Sequence, residues 1–170
     1  YVALAFARRH AHRLAGLILA DTRAEADGAE AKAGRDKTRT LALEQGTAAV
    51  FEGMKAKALG DTTRTRRPEV VETATAIADR QPGASTAAAV LALRDRPDAT
   101  PGLASIAVPT LILVGGEDAI TPKSAAQTMA DKIPGATLVE LPEAGHLSNL
   151  ETPDAFNAAV RKFLANELGS

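Results

Sequence analysis

The sequence predicts an α/β fold in which short parallel strands alternate with helices. Three apolar runs rich in Leu, Ile and Val have the length of strands, and each ends in Gly, Pro or an acidic residue. These runs are residues 14–21, 108–118 and 136–143. Near-continuous apolar runs are typical of parallel strands that are covered on both faces. Segments with helical spacing of apolar residues flank the runs, at 1–10, 122–133 and 153–167.

The last of these helices carries the clearest helical signals. Thr152 is a suitable N-cap residue, and Pro153 occupies the first helical position. One apolar stripe follows, formed by Phe156, Val160, Phe163 and Leu164. The first helix, in contrast, has no capping side chain before it. We therefore expect that polypeptide precedes Tyr1 in a parent protein or was removed by processing.

Residues 24–100 have a different character, because they are rich in Ala, Thr, Arg and Glu and lack a strand pattern. Helical spacing recurs in three stretches, at residues 47–60, 67–80 and 84–98. The region is therefore predicted to be a helical insertion of three or four short helices. Its two basic clusters, at residues 35–39 and 64–67, are interpreted as solvated helix ends and loops.

Composition excludes several classes of function. The net charge of −1 gives no support for a nucleic-acid or anionic-membrane partner, and the 3% aromatic content argues against a stacking surface for bases. Without cysteine, the chain has no disulfide or thiol chemistry. Three scattered histidines do not form a metal-binding pattern. No apolar run approaches the ~18 residues that span a bilayer, and no signal peptide opens the chain, so a cytoplasmic location is expected.

Two loops carry the residues that indicate chemistry. Asp118 follows the run "VPTLILVGGED", and His146 lies in "LPEAGHLSNLE", directly after the third run. The carboxyl ends of parallel strands meet at one edge of a sheet, where ligands bind in open α/β folds. A carboxylate there can accept the Nδ1–H of a histidine and fix its tautomer. The other ring nitrogen is then available as a general base and acid.

Each residue also has a simpler interpretation. A single loop histidine is usually a surface residue, and an aspartate after a strand often caps a turn. The combination of Asp118 and His146 at two successive strand ends, in this order, favours the catalytic interpretation over the structural one.

These motifs resemble the C-terminal part of an α/β-hydrolase. "VPTLILVGGEDAITP" and "ATLVELPEAGHLSNLETPDAFNAAVRKFL" are similar to the 3-oxoadipate enol-lactonases and related esterases. "YVALAFARRHAHRLAGLILADTRA" resembles the helix and strand that follow the nucleophile elbow Gly-x-Ser-x-Gly of that family. The resemblance implies a partial hydrolase core formed by residues 1–23 and 101–170, with residues 24–100 as a helical cap. It implies Asp118 as the triad acid, His146 as the triad base, and no cofactor.

The sequence departs from the family at the nucleophile. None of its serines, Ser85, Ser105, Ser124, Ser148 and Ser170, lies in Gly-x-Ser-x-Gly. Ser148 is close to His146 in sequence but lacks a strand-to-helix turn. The family's oxyanion-hole segment and first five strands are missing as well. The resemblance therefore implies an ester or lactone hydrolase whose nucleophile is absent from this chain; elsewhere in the family it is Ser or Asp, and the lactonase-like motifs favour Ser.

This departure also leads to an expectation about partners. In the family, the strand at residues 14–21 pairs with a strand that this chain does not contain. A bare, apolar strand edge is a template for pairing. We therefore expect the chain to dock onto an N-terminal complement or to self-associate across this edge. The alternative to an enzyme is a non-catalytic module that self-associates in this way. The expected small-molecule partner is an ester or lactone.

Overall fold

The computed structural model describes residues 1–167 and contains a three-stranded parallel sheet. The strands are β1 (Leu17–Ala20), β2 (Thr110–Gly115) and β3 (Thr137–Leu141), in the spatial order β1-β2-β3. Leu17 lies opposite Thr110, and Leu111 lies opposite Thr137. The predicted α/β fold with parallel strands is therefore confirmed, although each strand is shorter than its apolar run.

Coverage of the sheet is uneven. Every residue of β2 is buried, as expected for a central parallel strand. In β3, Thr137 and Glu140 are exposed and Leu141 is buried. The expectation that all three strands are covered on both faces holds only in part for β3, where Leu138 and Val139 are half-buried against opposite faces of the sheet.

Helices cover the two faces of the sheet and form the insertion between β1 and β2. They are α1 (Val2–His10), α2 (Ala29–Ala58), α3 (Asp61–Arg66), α4 (Pro68–Asp79), α5 (Gly83–Asp95), α6 (Lys123–Lys132), α7 (Ser148–Glu151) and α8 (Pro153–Glu167). Short 3₁₀ helices occur at Ala11–Arg13 and Thr100–Ser105. Side chains of α1 and α6 pack on the face that carries Leu19 and Ile112. Helix α8 packs on the opposite face, against Leu111 and Leu113.

Two details of α8 differ from the prediction. Phe163 is buried and Phe156 and Val160 are partly buried, but Leu164 is 43% exposed and lies outside the packed stripe. The hydroxyl of Thr152 donates to the carbonyl of Ser148 at 3.1 Å instead of capping α8. The helix nevertheless begins at Pro153 as predicted.

The insertion consists of helices α2 to α5, and α2 is made of two helical segments that meet at Gly46, the second of which corresponds to the helix predicted at residues 47–60. The first segment runs through residues 29–45, where no helix was predicted, and α2 bends at Gly46, whose φ is +83°. Phe51 and Ala58 of its second half pack against Ala74 and Ala78 of α4. The predicted apolar faces are only partly buried, because Met54 and Ile77 are 37% and 41% exposed.

The two chain segments that enter and leave the insertion are tied together around Asp27. Its buried carboxylate accepts hydrogen bonds from Arg35 and Arg96 at 3.0 and 2.9 Å and pairs with Arg23. The carbonyl of Ala24 also accepts the N–H of Ala99 at 2.9 Å. Arg35, from the first basic cluster, is therefore an ion-pair partner and not a solvated residue as predicted.

The same hydrogen bonds set the charge state of Asp27. Burial by itself raises the pKa of this carboxyl, but the hydrogen bonds from Arg96 and Arg35 outweigh it and lower the pKa to about 2. Asp27 is therefore ionised at neutral pH.

The structure also bears on membrane crossing. Among the helices formed by residues 1–167, none combines the length and the apolar character that a membrane span requires.

Asp27→Asn should destabilise the protein by about 3 kcal/mol at neutral pH, because it breaks a buried ion pair and leaves arginines unpaired. Since the folded-state pKa lies below the unfolded value, the contribution of Asp27 is present above about pH 4 and lost as the pH falls towards 2. Urea unfolding at several pH values should show the difference between variant and wild type shrinking over that range. Asp36→Asn, which breaks the exposed pair with Arg94, is the control and should change the free energy of unfolding far less.

Candidate active site

Acidic residues and a histidine meet at the carboxyl edge of the sheet. Asp21 follows β1, Asp118 lies three residues past the end of β2, and His146 lies in the loop after β3. The parallel arrangement brings these loops together, although 28 residues separate Asp118 from His146 and 127 separate Asp21 from Ser148. Both sequence-predicted residues, Asp118 and His146, are therefore in direct contact.

The two carboxylate oxygens of Asp118 bind different groups. Oδ1 accepts the backbone N–H groups of Ile120 and Thr121 at 2.8 and 2.9 Å, which closes the turn after β2. Oδ2 accepts the Thr121 hydroxyl at 2.7 Å and lies 2.9 Å from Nδ1 of His146. Asp118 therefore both caps the turn after β2 and pairs with His146.

The contact assigns the tautomer of His146. An ionised carboxylate only accepts hydrogen bonds, so Nδ1 carries the proton and donates it to Asp118. The Thr121 hydroxyl, which lies 3.2 Å from Nδ1, uses its proton for Asp118. Within residues 1–167, Nε2 has no hydrogen-bond partner, and the side chain is 25% exposed. The free nitrogen therefore carries a lone pair that can accept a proton.

Asp118 is held in the ionised form that this pairing requires. Its side chain is fully buried, which raises the pKa of the carboxyl. The hydrogen bonds from His146 and Thr121 exceed that effect, so the pKa lies below its ordinary value. The carboxylate can stabilise a positive charge on the imidazole ring when Nε2 takes up a proton.

Asp21 is a third acidic residue of this edge that the sequence interpretation did not single out. Its carboxylate accepts the backbone N–H of Gly115 at 2.9 Å and both the N–H and the hydroxyl of Ser148. Burial raises the pKa of Asp21, and the hydrogen bonds from Ser148 and Gly115 only partly offset it. The signal was present in the sequence, because an acid ends the first apolar run as one ends the second.

Ser148 is engaged in this network and is fully buried. Its hydroxyl donates to Asp21, and Ser148 is the first residue of the short helix α7. The serine nearest to His146 in sequence therefore holds the loop to the end of β1.

The loop that carries His146 lies directly on the end of β2. A Cβ atom at Gly115 would lie 2.1 Å from the carbonyl oxygen of Gly145 and 2.4 Å from that of Ala144. The N–H of Glu117 donates to the Ala144 carbonyl at 2.8 Å. Only glycine permits this approach, so Gly115 sets the distance between the loops of Asp118 and His146.

The alpha/beta hydrolase family matches residues 1–159. The chain belongs to the α/β-hydrolase family. Among solved structures, the chain is similar to a thermophilic esterase from Thermogutta terrifontis, with 40% sequence identity and a TM-score of 0.93. The similarity covers 96% of this chain and 60% of the esterase.

Curated relatives match the chain over shorter stretches. One is 3-oxoadipate enol-lactonase 2 of Acinetobacter baylyi, 41% identical over 63 residues, which are 37% of this chain and 23% of the relative. Another, from Mycobacterium tuberculosis, is provisionally named a non-heme bromoperoxidase and is 36% identical over 66 residues, 39% of this chain and 25% of the relative. The chain thus spans about three fifths of the esterase, and its alignments span about a quarter of these relatives.

Gly115→Ala should lower the free energy of unfolding by about 3 kcal/mol, because the added methyl group overlaps backbone atoms that have no free space to move into. Gly53→Ala is the matched control. Gly53 lies within α2, and a Cβ atom added there would meet no atom within 4 Å, so alanine should stabilise the helix by up to about 1 kcal/mol. Urea unfolding measures both. A Gly115→Ala variant as stable as the wild type would contradict the close approach.

Proposed function

We propose that this chain supplies the acid and the base of a serine hydrolase that cleaves carboxylic ester or lactone bonds. The observation that carries the proposal is the 2.9 Å contact between Oδ2 of Asp118 and Nδ1 of His146, with Nε2 free at the carboxyl edge of the sheet. The similarity to an esterase over nearly the whole chain, and to an enol-lactonase over part of it, supports this substrate class.

In the proposed reaction, Nε2 of His146 takes the proton of a serine hydroxyl as the serine oxygen attacks the carbonyl carbon. The imidazolium then gives this proton to the departing alkoxide, which leaves as an alcohol. A water molecule attacks the acyl-enzyme with the same proton transfers and releases the acid. Asp118 stays ionised throughout and stabilises the imidazolium, in agreement with its lowered pKa.

The proposal places the nucleophile on polypeptide outside these 170 residues. The sequence contains no Gly-x-Ser-x-Gly, and Ser148 uses its hydroxyl to hold Asp21. Ser is favoured over Asp as the nucleophile because the lactonase-like motifs and the esterase similarity agree. On this proposal the chain alone is inactive, since covalent catalysis needs its nucleophile.

The proposed hydrolase uses the insertion as a cap. Residues 24–100 would shape an acyl or lactone pocket above Asp118 and His146, with residues 1–23 and 101–170 as the core. Contacts between the insertion and both catalytic loops support this role, because Thr62 of α3 bonds Glu117 and the Ala58 carbonyl accepts the N–H of His146. The cytoplasmic location and the lack of a cofactor stay predictions.

The test is hydrolysis of p-nitrophenyl acetate by this chain, with its intact mass recorded, alone and joined to any residues that its reading frame encodes before Tyr1. We expect turnover only in the longer protein, and a serine-directed phosphonate should abolish it. In that protein, His146→Ala and Asp118→Asn should each reduce kcat about 10⁴-fold. The matched control His12→Ala, an exposed histidine, should leave kcat unchanged.

Two results would contradict the proposal. Turnover by the 170-residue chain alone, with the phosphonate attached to one of its own serines, would show that the nucleophile is within it. Full activity of the Asp118→Asn and His146→Ala variants in the longer protein would show that the pair is not catalytic.

A second candidate function is a non-catalytic module that self-associates through β1. The observation that favours it is the open side of this strand, since β1 pairs only with β2 among residues 1–167. The N–H groups of Leu17 and Asp21 point towards β2. By the alternation of a parallel strand, those of Ile18 and Ala20 point to the open side and are available to another strand.

Ala20→Pro should therefore convert a self-associated chain to a monomer, because proline removes an outward N–H and leaves the hydrogen bonds to β2 in place. Ala20→Gly keeps the N–H and is the control, which should associate like the wild type. Sedimentation equilibrium over a range of concentrations measures both. A wild-type chain that is monomeric at all concentrations would exclude this association.

A further inference from the structure

The loop that carries His146 is held by a carboxylate that the proposed chemistry does not use. Glu151, at the end of α7, is 3% exposed. Its Oε1 accepts the backbone N–H groups of Gly145 and Leu147 at 3.0 and 3.1 Å. These residues directly precede and follow His146, so one oxygen fixes the backbone on both sides of the histidine.

The other oxygen of Glu151 reaches the insertion. Oε2 accepts the N–H of Gly60 at 2.8 Å, across 91 residues of sequence. The N–H of His146 itself donates to the carbonyl of Ala58 at 3.0 Å. All three amide groups of residues 145–147 are therefore occupied, two by Glu151 and one by the last residue of α2.

The two backbones also touch. A Cβ atom at Gly145 would lie 2.4 Å from the nitrogen of Gly60 and 2.8 Å from the carbonyl carbon of Leu59. Leu59 is 1% exposed, so the junction is closed to solvent. The segment Ala58–Gly60 thus cannot move away without uncovering the buried carboxylate of Glu151.

Arg67 of the insertion also binds the loop that carries His146. Nη1 of Arg67 donates to the carbonyls of Glu143 and Glu151 at 3.1 Å each, and Nη2 pairs with the carboxylate of Glu143 at 2.8 Å. Arg67, between α3 and α4, therefore holds both ends of the loop, at residues 143 and 151. It belongs to the second basic cluster, and the prediction that this residue is simply solvated is wrong.

We propose that Glu151 is a positioning residue for His146, the proposed base. It keeps His146 in contact with Asp118 only while Ala58–Gly60 of the insertion is docked. The proposal rests on the proposed role of His146 and adds that this part of the insertion is a fixed component of the site. Opening of the insertion at Ala58–Gly60 would release the backbone on both sides of His146 and with it the contact to Asp118.

The test uses the 170-residue chain and two matched variants, Glu151→Gln and Glu117→Gln. A glutamine keeps the volume of Glu151 but turns one acceptor oxygen into an NH₂ donor, which opposes at least one of the three N–H groups. The Glu117 carboxylate accepts the N–H and hydroxyl of Thr62 in the insertion, and within residues 1–167 it forms no hydrogen bond with residues 145–147. Glu117→Gln weakens the attachment of α3 at Thr62, outside Ala58–Gly60. Glu151→Gln weakens the attachment at Gly60 and removes hydrogen bonds on both sides of His146.

Two NMR readouts separate the variants. Hydrogen exchange of the Gly145 and Leu147 amides should rise about tenfold or more in Glu151→Gln, since hydrogen bonds to a charged group are lost. The Nδ1–H resonance of His146, which reports the bond to Asp118, should broaden or vanish. Glu117→Gln should leave both readouts unchanged and should increase exchange at Thr62.

The proposal is overturned if Glu151→Gln leaves the Nδ1–H resonance and the two amides as in the wild type, or if Glu117→Gln alters them equally. The wild type gives a test that needs no variant to fold. Its amides at Gly60, Gly145 and Leu147 should exchange through one opening with a common dependence on urea, and separate openings would overturn the proposal. Neither readout uses ester hydrolysis, so a failed activity assay leaves this result interpretable.

Discussion

The site depends on the close approach of three backbone segments at the carboxyl edge of the sheet. The loop Ala144–Leu147 lies between the end of β2, at Gly115, and the end of α2, at Ala58–Gly60. The glycines at 60, 115 and 145 let main-chain atoms meet where a methyl group would overlap them. Because packed backbone has little freedom to shift, the distance from His146 to Asp118 is set by these contacts and not by the two side chains alone.

Electrostatics at this edge follows one pattern. The carboxylates of Asp21, Asp118 and Glu151 accept hydrogen bonds mainly from backbone N–H groups and hydroxyls, and no arginine or lysine side chain pairs with them in residues 1–167. At Asp118, the hydrogen bonds from His146 and Thr121 hold the pKa of the carboxyl below its ordinary value without placing an arginine or lysine beside the histidine. Asp27 pairs with arginines instead. It lies where the chain enters and leaves the insertion, and its ion pairs hold these two segments together.

Much of the core could be predicted from local sequence. The apolar runs give the strands, and the spacing around Phe156, Val160 and Phe163 gives the helix that covers one face. Asp118 and His146 could be found because both directly follow apolar runs. Predictions failed where tertiary contacts override local pattern, as for Arg35 and Arg67, whose charges looked solvated until the fold supplied Asp27 and Glu143 as partners.

The sequence by itself determined the α/β class, the parallel strands and the pairing of an acid with a histidine. The spacing of apolar residues indicates which segments are strands or helices, and the glycines, prolines and acids that follow them indicate where those segments end. Only the tertiary structure decided which atoms of Asp118 face His146, that Asp21 binds Ser148, and that Glu151 joins the loop to the insertion. These contacts link residues up to 127 positions apart, and they arise from the packing of loops whose local sequences carry no information about each other.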